Sequence, residues 1–572
     1  AGHLAATRWQ RLPTGAVKPT GWLYTQAKLQ ADALTSHLPL FWPEVANTSW
    51  LGGSADTDGG IHESTPYWLN GAVPLAAQLG DEALQQTVER YISGVIDRQT
   101  DDGWLGPDTD PTDFWSRYDM LLAFAQLHEA LPRSSALAER IVASASRFFD
   151  SMSRRMAPGA TLQDWSNARA SDLIWAVHYF ADVYDKASDP SGVTRLLAFA
   201  DQVRKASFDW NAGAFNSSSF WRTAVPPANV TLYTHGVNLG QAVKQGVVWA
   251  RQSGDFAAGA AKSWLAWETL QRYHGQPHGA FSGDEHLGGR NPSRGTELCV
   301  VVESMWSLEL LAQAAPTDAE AARALDALEI IAFNALPGSL SADLWSHAYL
   351  QFPNSYQAVD PQNDHIWDTC GPQAAMYGLA PHYECCTANF HQGYPKFISH
   401  LFFLDPEADA VISTVWAPSK VNLPDVAGGS EIELVTEYPF GLKAQYIIRN
   451  KEPFTLRVRL PAFLREVAGP DRGLSTVGLL IEGHERIVIV KDGFVDCLIP
   501  AWPLPEPRVA VEFTWAAPPA VVQSDAAEQG ASIFVGPLLM AVDLQEQQTV
   551  LRRYAFQAAD YNTTCRRETW RF

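Results

Sequence analysis

Apolar side chains recur every three or four positions from about residue 61 to about 404, and beyond about 405 they alternate or run β-branched. The first period belongs to amphipathic helices and the second to half-buried strands. Asp81 to Arg98 shows the helical pattern, with Leu84, Val88, Tyr91, Ile92, Val95 and Ile96 on one face and Glu89, Arg90 and Asp97 opposite. Similar stretches cover 65–79, 116–131, 135–153, 171–186, 192–206, 236–253, 256–273, 298–314, 319–335 and 389–403. No short solenoid repeat accompanies them, so alternate helices are expected to pair and close into a barrel. The long connections 99–115 and 274–297 then gather at one end, where sites are usually built. Residues 1–60 are rich in turn formers around one helical stretch, Trp22 to His37, and read as an N-terminal extension packing on the barrel of residues 61–404. Residues 405–572 carry strand signals at Val411–Trp416, Glu431–Tyr438, Phe454–Leu460, Arg486–Val490 and Val509–Trp515, with Gly, Pro and Asp between them. These predict an antiparallel β-sandwich domain that supports the helical one.

Composition narrows the class. A chain of 572 residues with 46% hydrophobic and 18% charged residues fills more than one core, and the length suggests two to four domains. A net charge of −21 excludes nucleic acid and anionic membranes as partners, because both require basic surface. No run approaches the roughly 18 apolar residues of a membrane helix. The 21 tryptophans and 17 tyrosines fit a large core, and equally a surface on which sugars stack. Sequons begin at Asn47, Asn216, Asn229 and Asn562, and the chain starts without a basic and apolar leader, as a processed mature chain would. The expectation is a secreted, extracellular glycoprotein, in which Cys497 and Cys565 form the natural disulfide pair.

The remaining chemistry lies in two short motifs, Glu297-Leu298-Cys299 and Glu384-Cys385-Cys386-Thr387-Ala388-Asn389. Adjacent cysteines bond each other only through a strained ring, so each needs a partner elsewhere. Spacing leaves two readings open. Cys299, Cys385 and Cys386 with Glu297 make a four-ligand set suited to Zn²⁺. Alternatively, Cys299 bonds one of the pair, and the other stays free or bonds Cys370. The loop from His274 to Arg290 holds Asp284, Glu285 and His286 among glycines, and either acid can serve as general acid if its pKa is raised. Tyr233-Thr234-His235-Gly236-Val237-Asn238 opens a helix, where His235 either meets a substrate hydroxyl or caps the core. Ile61 to Trp68 and Gly103 to Asp108 place aromatics beside acids and read as cleft lining or helix caps. A zinc-held thiolate beside a carboxylic acid permits two-step covalent catalysis at an acetal carbon, with sulfur in place of one carboxylate.

These motifs resemble the cysteine-dependent β-L-arabinofuranosidase family, glycoside hydrolase family 127. The resemblance runs from Gly21-Trp22-Leu23 into the β region, and its clearest blocks are Gly283-Asp284-Glu285-His286 and Cys385 to Gly393. It implies an (α/α)6 helical barrel followed by an antiparallel β-sandwich. It also implies a zinc on Glu297, Cys299, Cys385 and Cys386, Cys385 as nucleophile, and Glu285 as acid/base. His235 matches a sugar-binding histidine of the family, whereas two others fall at Gln126 and near Ala170, and Thr387-Ala388 stands where known members have Pro-Pro. The departures point to a divergent branch. His235, His286, Gln126 and Trp68 are the expected substrate contacts. The implied activity is retaining hydrolysis of a terminal furanoside. The alternatives are another plant cell-wall sugar, such as a branched acidic pentose, and a non-catalytic carbohydrate-binding or structural protein. A polysaccharide lyase leaves the cysteines unexplained.

Overall fold

The computed structural model describes residues 3–55, 59–107, 114–156, 159, 161–216, 218, 220–291, 293–353, 372–467, 477–502, 504–525 and 530–541. Asp108, Cys370, Asn562 and Cys565 therefore lie outside the described residues.

Helices form where the apolar period places them, and they are of two kinds. Glu82–Asp97 opens on Asp81, whose carboxylate accepts the Leu84 amide at 3.0 Å, and it buries one stripe from Leu84 to Ile96. Ala136–Arg155 and Pro190–Ala206 are amphipathic in the same way. Other helices are buried almost all round: Ser64–Leu79, Trp115–Ala130 and, completely, Leu298–Ala314. Ser64–Leu79 packs on Trp115–Ala130, which packs on Ala170–Lys186; Gly236–Ala242 packs on Leu298–Ala314. Cys385–Asn389 and Gly393–Ser399 touch both Leu298–Ala314 and Ser64–Leu79. The buried helices thus surround a shared interior, and the amphipathic ones cover them.

Several boundaries differ from the periodic reading. The expected helix 236–253 divides into Gly236–Ala242 and Gln245–Ser253. That at 319–335 is Asp318–Ile330 followed by a wider turn over Ile331–Ala335. The expected helix 389–403 starts early, as Cys385–Asn389 and Gly393–Ser399, and gives way to strand Phe402–Asp405. Pro395 falls in the first turn of Gly393–Ser399, where a missing amide breaks no helical hydrogen bond. The expected strand Arg486–Val490 is instead His484–Arg486, and Ile487 beyond it is 87% exposed, with no sheet face to bury it.

The C-terminal region is built of largely antiparallel sheets. A five-stranded sheet runs in the order Gln10–Arg11, Phe402–Asp405, Ala410–Ser413, Phe454–Arg459, Phe494–Ile499, with one parallel pair between its third and fourth strands. A seven-stranded sheet includes Ser430–Thr436, in which Ser430, Ile432, Leu434 and Thr436 are buried in strict alternation. Tyr446 and Ser413 hydrogen-bond at 2.8 Å from one sheet to the other, over an apolar interior. The N-terminal segment supplies an edge strand to each, Gln10–Arg11 against Phe402–Asp405 and Val17–Pro19 against Ser419–Leu423. Sheets and helices are locked by fully buried Arg459, which reaches Asp326 at 2.6 Å and Glu329 at 2.9 Å on helix Asp318–Ile330. Such a pair is strongly disruptive to break on one side only. Among the described residues no helix is long and apolar enough to cross a membrane.

Candidate active site

The loop before Glu297 folds into a small sheet of two-residue strands, ordered His286–Leu287, Gly283–Asp284, Thr296–Glu297, Leu350–Gln351. Strands this short carry no period, so pairing rather than pattern positions Glu285, Glu297 and Tyr349. Glu285 occupies the tip between the first two strands with φ of +78°, a region that costs a non-glycine residue about 1–2 kcal/mol. Its carbonyl accepts the Gly236 amide at 2.9 Å. A Cβ on Gly236 would stand 3.1 Å from the Gly283 Cα, so only glycine lets the two segments touch along their backbones. The strained tip aims the Glu285 carboxylate at His235 Nε2, 3.1 Å away, and at the Tyr349 hydroxyl, which donates at 2.5 Å.

Beside it the two cysteine motifs converge. Glu297 ends a strand and Cys299 stands in the first turn of Leu298–Ala314, while Cys385 and Cys386 open their own short helix. Cys299 Sγ is 3.2 Å from Cys386 Sγ, far beyond the about 2.05 Å of a disulfide, so the central thiols are reduced. Cys385 and Cys386 each stand 3.7 Å from Glu297 Oε1, and one donor atom from each of the four residues lies within 4.8 Å of the others. His235, Glu285 and Glu297 form a second such group, so Glu297 joins the acid to the thiols.

The electrostatics fit a cation. Burial, then the Glu285 charge, pushes the Glu297 carboxyl well above the usual carboxylate range. Burial likewise raises Cys299 and Cys386, whereas the thiols of those two donate to Cys385 and pull it well below the ordinary thiol value. Glu297 Oε2 is buried without a hydrogen-bond partner. Three thiols and a carboxylate with one unpartnered oxygen can hold a metal ion. For Glu285, burial raises the carboxyl, but the hydrogen bond and charge of His235, with the Tyr349 hydroxyl, outweigh it and leave it below the ordinary value, the reverse of the raised pKa expected of a general acid; of the two loop acids it is Asp284 that burial raises, to about 6.

The structure thus brings Glu285, His235, Glu297, Cys299, Cys385 and Cys386 together. His286 adjoins them, its ring 5.7 Å from that of His235 and its Nδ1 2.9 Å from Thr234 Oγ1. Burial, then the His235 charge, lowers His286 to about 4, so it is neutral near pH 7. Two expected contacts are corrected. Trp68 is fully buried and donates its indole N–H to the Thr35 carbonyl at 2.9 Å, so it is core and closed to a sugar. Gln126 donates its amide to Asn70 Oδ1 at 2.7 Å and belongs to a buried network between helices. Asp284, the other acid of the loop, is buried and accepts two hydrogen bonds from the Arg294 guanidinium, one to each carboxylate oxygen, and anchors the hairpin. Trp104 is likewise core.

Three contributors had no sequence signal. Tyr349 sits at the bend between the two-residue strands His347–Ala348 and Leu350–Gln351. Trp165 meets His235 nearly edge-on, their ring centres 5.0 Å apart. Arg169 is buried between Trp115 and Trp165 and donates to the Tyr67 hydroxyl and Asn238 Oδ1, each at 2.6 Å. Its fixed positive charge lowers the Glu297 carboxyl in part. Cys497, expected to pair with Cys565, is instead a free thiol buried inside the sheets, with Cys565 outside the described residues, while Asn47, Asn216 and Asn229 are exposed.

No family model and no curated protein matches the sequence. Among solved structures, the chain is similar to one described as a glycoside hydrolase, with a TM-score of 0.68 and 13% identity over 94% of this chain and 85% of that one. It is similar to a family 127 β-arabinofuranosidase, with a TM-score of 0.65 and 15% identity over 93% of this chain and 85% of the other. A family 127 β-L-arabinofuranosidase from Geobacillus stearothermophilus T6 aligns with a TM-score of 0.64 and 14% identity, over 91% and 86% of the two chains. At such identity the likeness is one of fold.

Proposed function

We propose that the chain is a retaining glycoside hydrolase acting on a terminal furanoside, a divergent relative of the family 127 enzymes. The observation that carries this is the meeting of three thiols and Glu297 beside a hairpin that strains its backbone to present Glu285. The likeness in fold to two β-arabinofuranosidases supports the substrate class. The order in which buried helices pack supports an (α/α)6 barrel, in the division 1–60, 61–404 and a β-sandwich over 405–572.

Glu297, Cys299, Cys385 and Cys386 would hold Zn²⁺, which when bound keeps thiol sulfur ionised and fixed near neutral pH. Cys385 Sγ attacks the anomeric carbon while the bond to the leaving oxygen breaks, and Glu285 gives that oxygen its proton. Glu285, now a carboxylate, takes a proton from water. The resulting hydroxide attacks the same carbon, and the carbon–sulfur bond breaks to return Cys385. Two inversions at one carbon retain its configuration. His235 and Tyr349 hold the Glu285 carboxylate in place between the steps.

A second reading keeps this apparatus and changes the sugar. It is favoured by Gln126, whose amide is committed to Asn70 rather than to a ligand. In this proposal the protein works outside the cell and carries glycans on Asn47, Asn216 and Asn229, which are exposed. The test is a panel of aryl furanosides and plant cell-wall oligosaccharides, with zinc measured by elemental analysis of the untreated protein. About one zinc per chain and hydrolysis lost in Cys385→Ser are expected. Hydrolysis that survives Cys385→Ser would rule out the covalent mechanism, and a folded, zinc-bearing chain inert on every sugar would leave a binding protein.

A further inference from the structure

The two helices that present the thiols are tied together one turn behind them. Glu303 follows Cys299 by four residues and Asn389 follows Cys385 by four, a spacing that puts each on the same face as its cysteine, one turn deeper. Glu303 Oε1 accepts from Asn389 Nδ2 at 3.3 Å and from Gln392 Nε2 at 2.9 Å. All three residues are buried. The other carboxylate oxygen lies 3.5 Å from Lys244 Nζ, and that ammonium stands 2.7 Å from Asp172 on helix Ala170–Lys186. Gln392 Oε1 in turn accepts from Lys396 Nζ at 2.5 Å. Both lysines lie over the Trp306 ring, at 4.3 and 3.6 Å. These contacts fix the helix carrying Cys299 against the one carrying Cys385 and Cys386, independently of anything bound between them.

The position matters because Cys385–Asn389 is a single short helix. It cannot hold its own orientation without tertiary contacts, since nucleating a turn costs more than its few hydrogen bonds return. On its inner side the contacts run to Glu303 through Asn389 and Gln392. Moving this helix by a fraction of an ångström changes every distance between Cys385 or Cys386 and Cys299 or Glu297. Groups that orient ligands in this way typically change metal affinity by about 10–100-fold when altered.

We infer that Glu303 is a positioning residue that sets the spacing of the thiol cluster, and so its affinity for zinc, through Asn389 and Gln392. This rests on the proposal that the cluster holds zinc. The experiment measures zinc affinity of the full chain by competition with a chromophoric chelator, in the wild type and in Glu303→Gln, each checked for a cooperative melt. The amide turns one donor toward Lys244 or toward Asn389 and Gln392, so affinity is expected to fall about tenfold or more. The double variant Glu303→Gln with Gln392→Glu returns a carboxylate to the same hydrogen bond, beside Lys396, and is expected to restore most of the loss. Asp172→Asn disturbs the same buried charges on the side away from the thiols and is expected to leave zinc affinity unchanged. If Glu303→Gln does not fold, Gln392→Leu reads the same contact. Affinity unchanged in the folded variants, or an equal loss in Asp172→Asn, overturns the inference while leaving the zinc site intact. A wild type that takes up no zinc overturns both.

Discussion

Cys497, inside the C-terminal sheets, and Cys385, at the edge of the helical interior, are thiols of the same chain in opposite surroundings. Around Cys497 the neighbours are apolar strands, and burial pushes its thiol up to about 12. Around Cys385 two other thiols donate hydrogen bonds, and its pKa falls far below the ordinary value although burial works against it. Low-dielectric surroundings alone hold a thiol protonated, whereas donors fixed by two separate helices favour the thiolate. The same contrast holds for the regions as wholes. The sheets bury a largely apolar cluster of Trp416, Tyr438, Phe513 and Trp515, in which the Tyr438 hydroxyl donates to Glu329 at 2.9 Å. The helical interior buries Lys244, Lys396, Asp119, Asp172 and Glu303, which ask for partners.

The contrast breaks most sharply under paired substitution. Cys385→Ser should lower hydrolysis of an active furanoside by at least about four orders of magnitude, as loss of a covalent nucleophile does. Cys497→Ser should leave kcat unchanged and cost about 1–3 kcal/mol in urea unfolding, because it buries a hydroxyl among apolar groups. Equal kinetic losses in the two would mean that Cys385 acts only through stability. Next in size, Glu285→Gln should reduce kcat by about 10²–10⁴-fold, less for substrates whose leaving phenol needs no proton. A loss independent of the leaving group would remove Glu285 from the acid role. Metal removal sharpens the comparison without mutation. In chelator-treated protein at neutral pH, iodoacetamide should label Cys385, which is partly exposed, well before Cys497, which should react only on unfolding. Mass spectrometry of the peptides gives the order.

The smallest effect concerns pH. The Tyr349 hydroxyl lowers the Glu285 carboxyl by donating to it, so Tyr349→Phe should raise that pKa. The first step needs Glu285 protonated, and the rate falls as pH passes its pKa. The falling limb of kcat/KM should therefore move to higher pH in Tyr349→Phe. A limb that stays in place would show that another group controls it.

Much of the scaffold was legible because one-dimensional period encodes burial. Leu84 to Ile96 and Ser430 to Thr436 show their buried faces in the sequence, and both fold accordingly. Strands such as Gln10–Arg11 and Val17–Pro19 were not legible, since two or three residues have no period and exist only because a C-terminal strand offers them an edge. The metal-ligand set was legible in residue type, because three cysteines and a glutamate in two motifs are rare enough to notice. Trp68 shows the limit of that approach: an aromatic beside acids at a helix start marks a cleft or a core equally well, and here it is core.

By itself, then, the sequence determined where the long amphipathic helices and the longer alternating strands lie, and which side chains have chemistry suited to sulfur ligation and proton transfer. Only the tertiary structure decided that Cys299 and Cys386 stand 3.2 Å apart as thiols, that Tyr349 and His235 share the Glu285 carboxylate, and that Glu303 braces the helices behind them. The physical reason is range. Hydrophobic periodicity is a local property written every few residues, while a hydrogen bond between positions 64 or 89 residues apart exists only after the chain has closed around it.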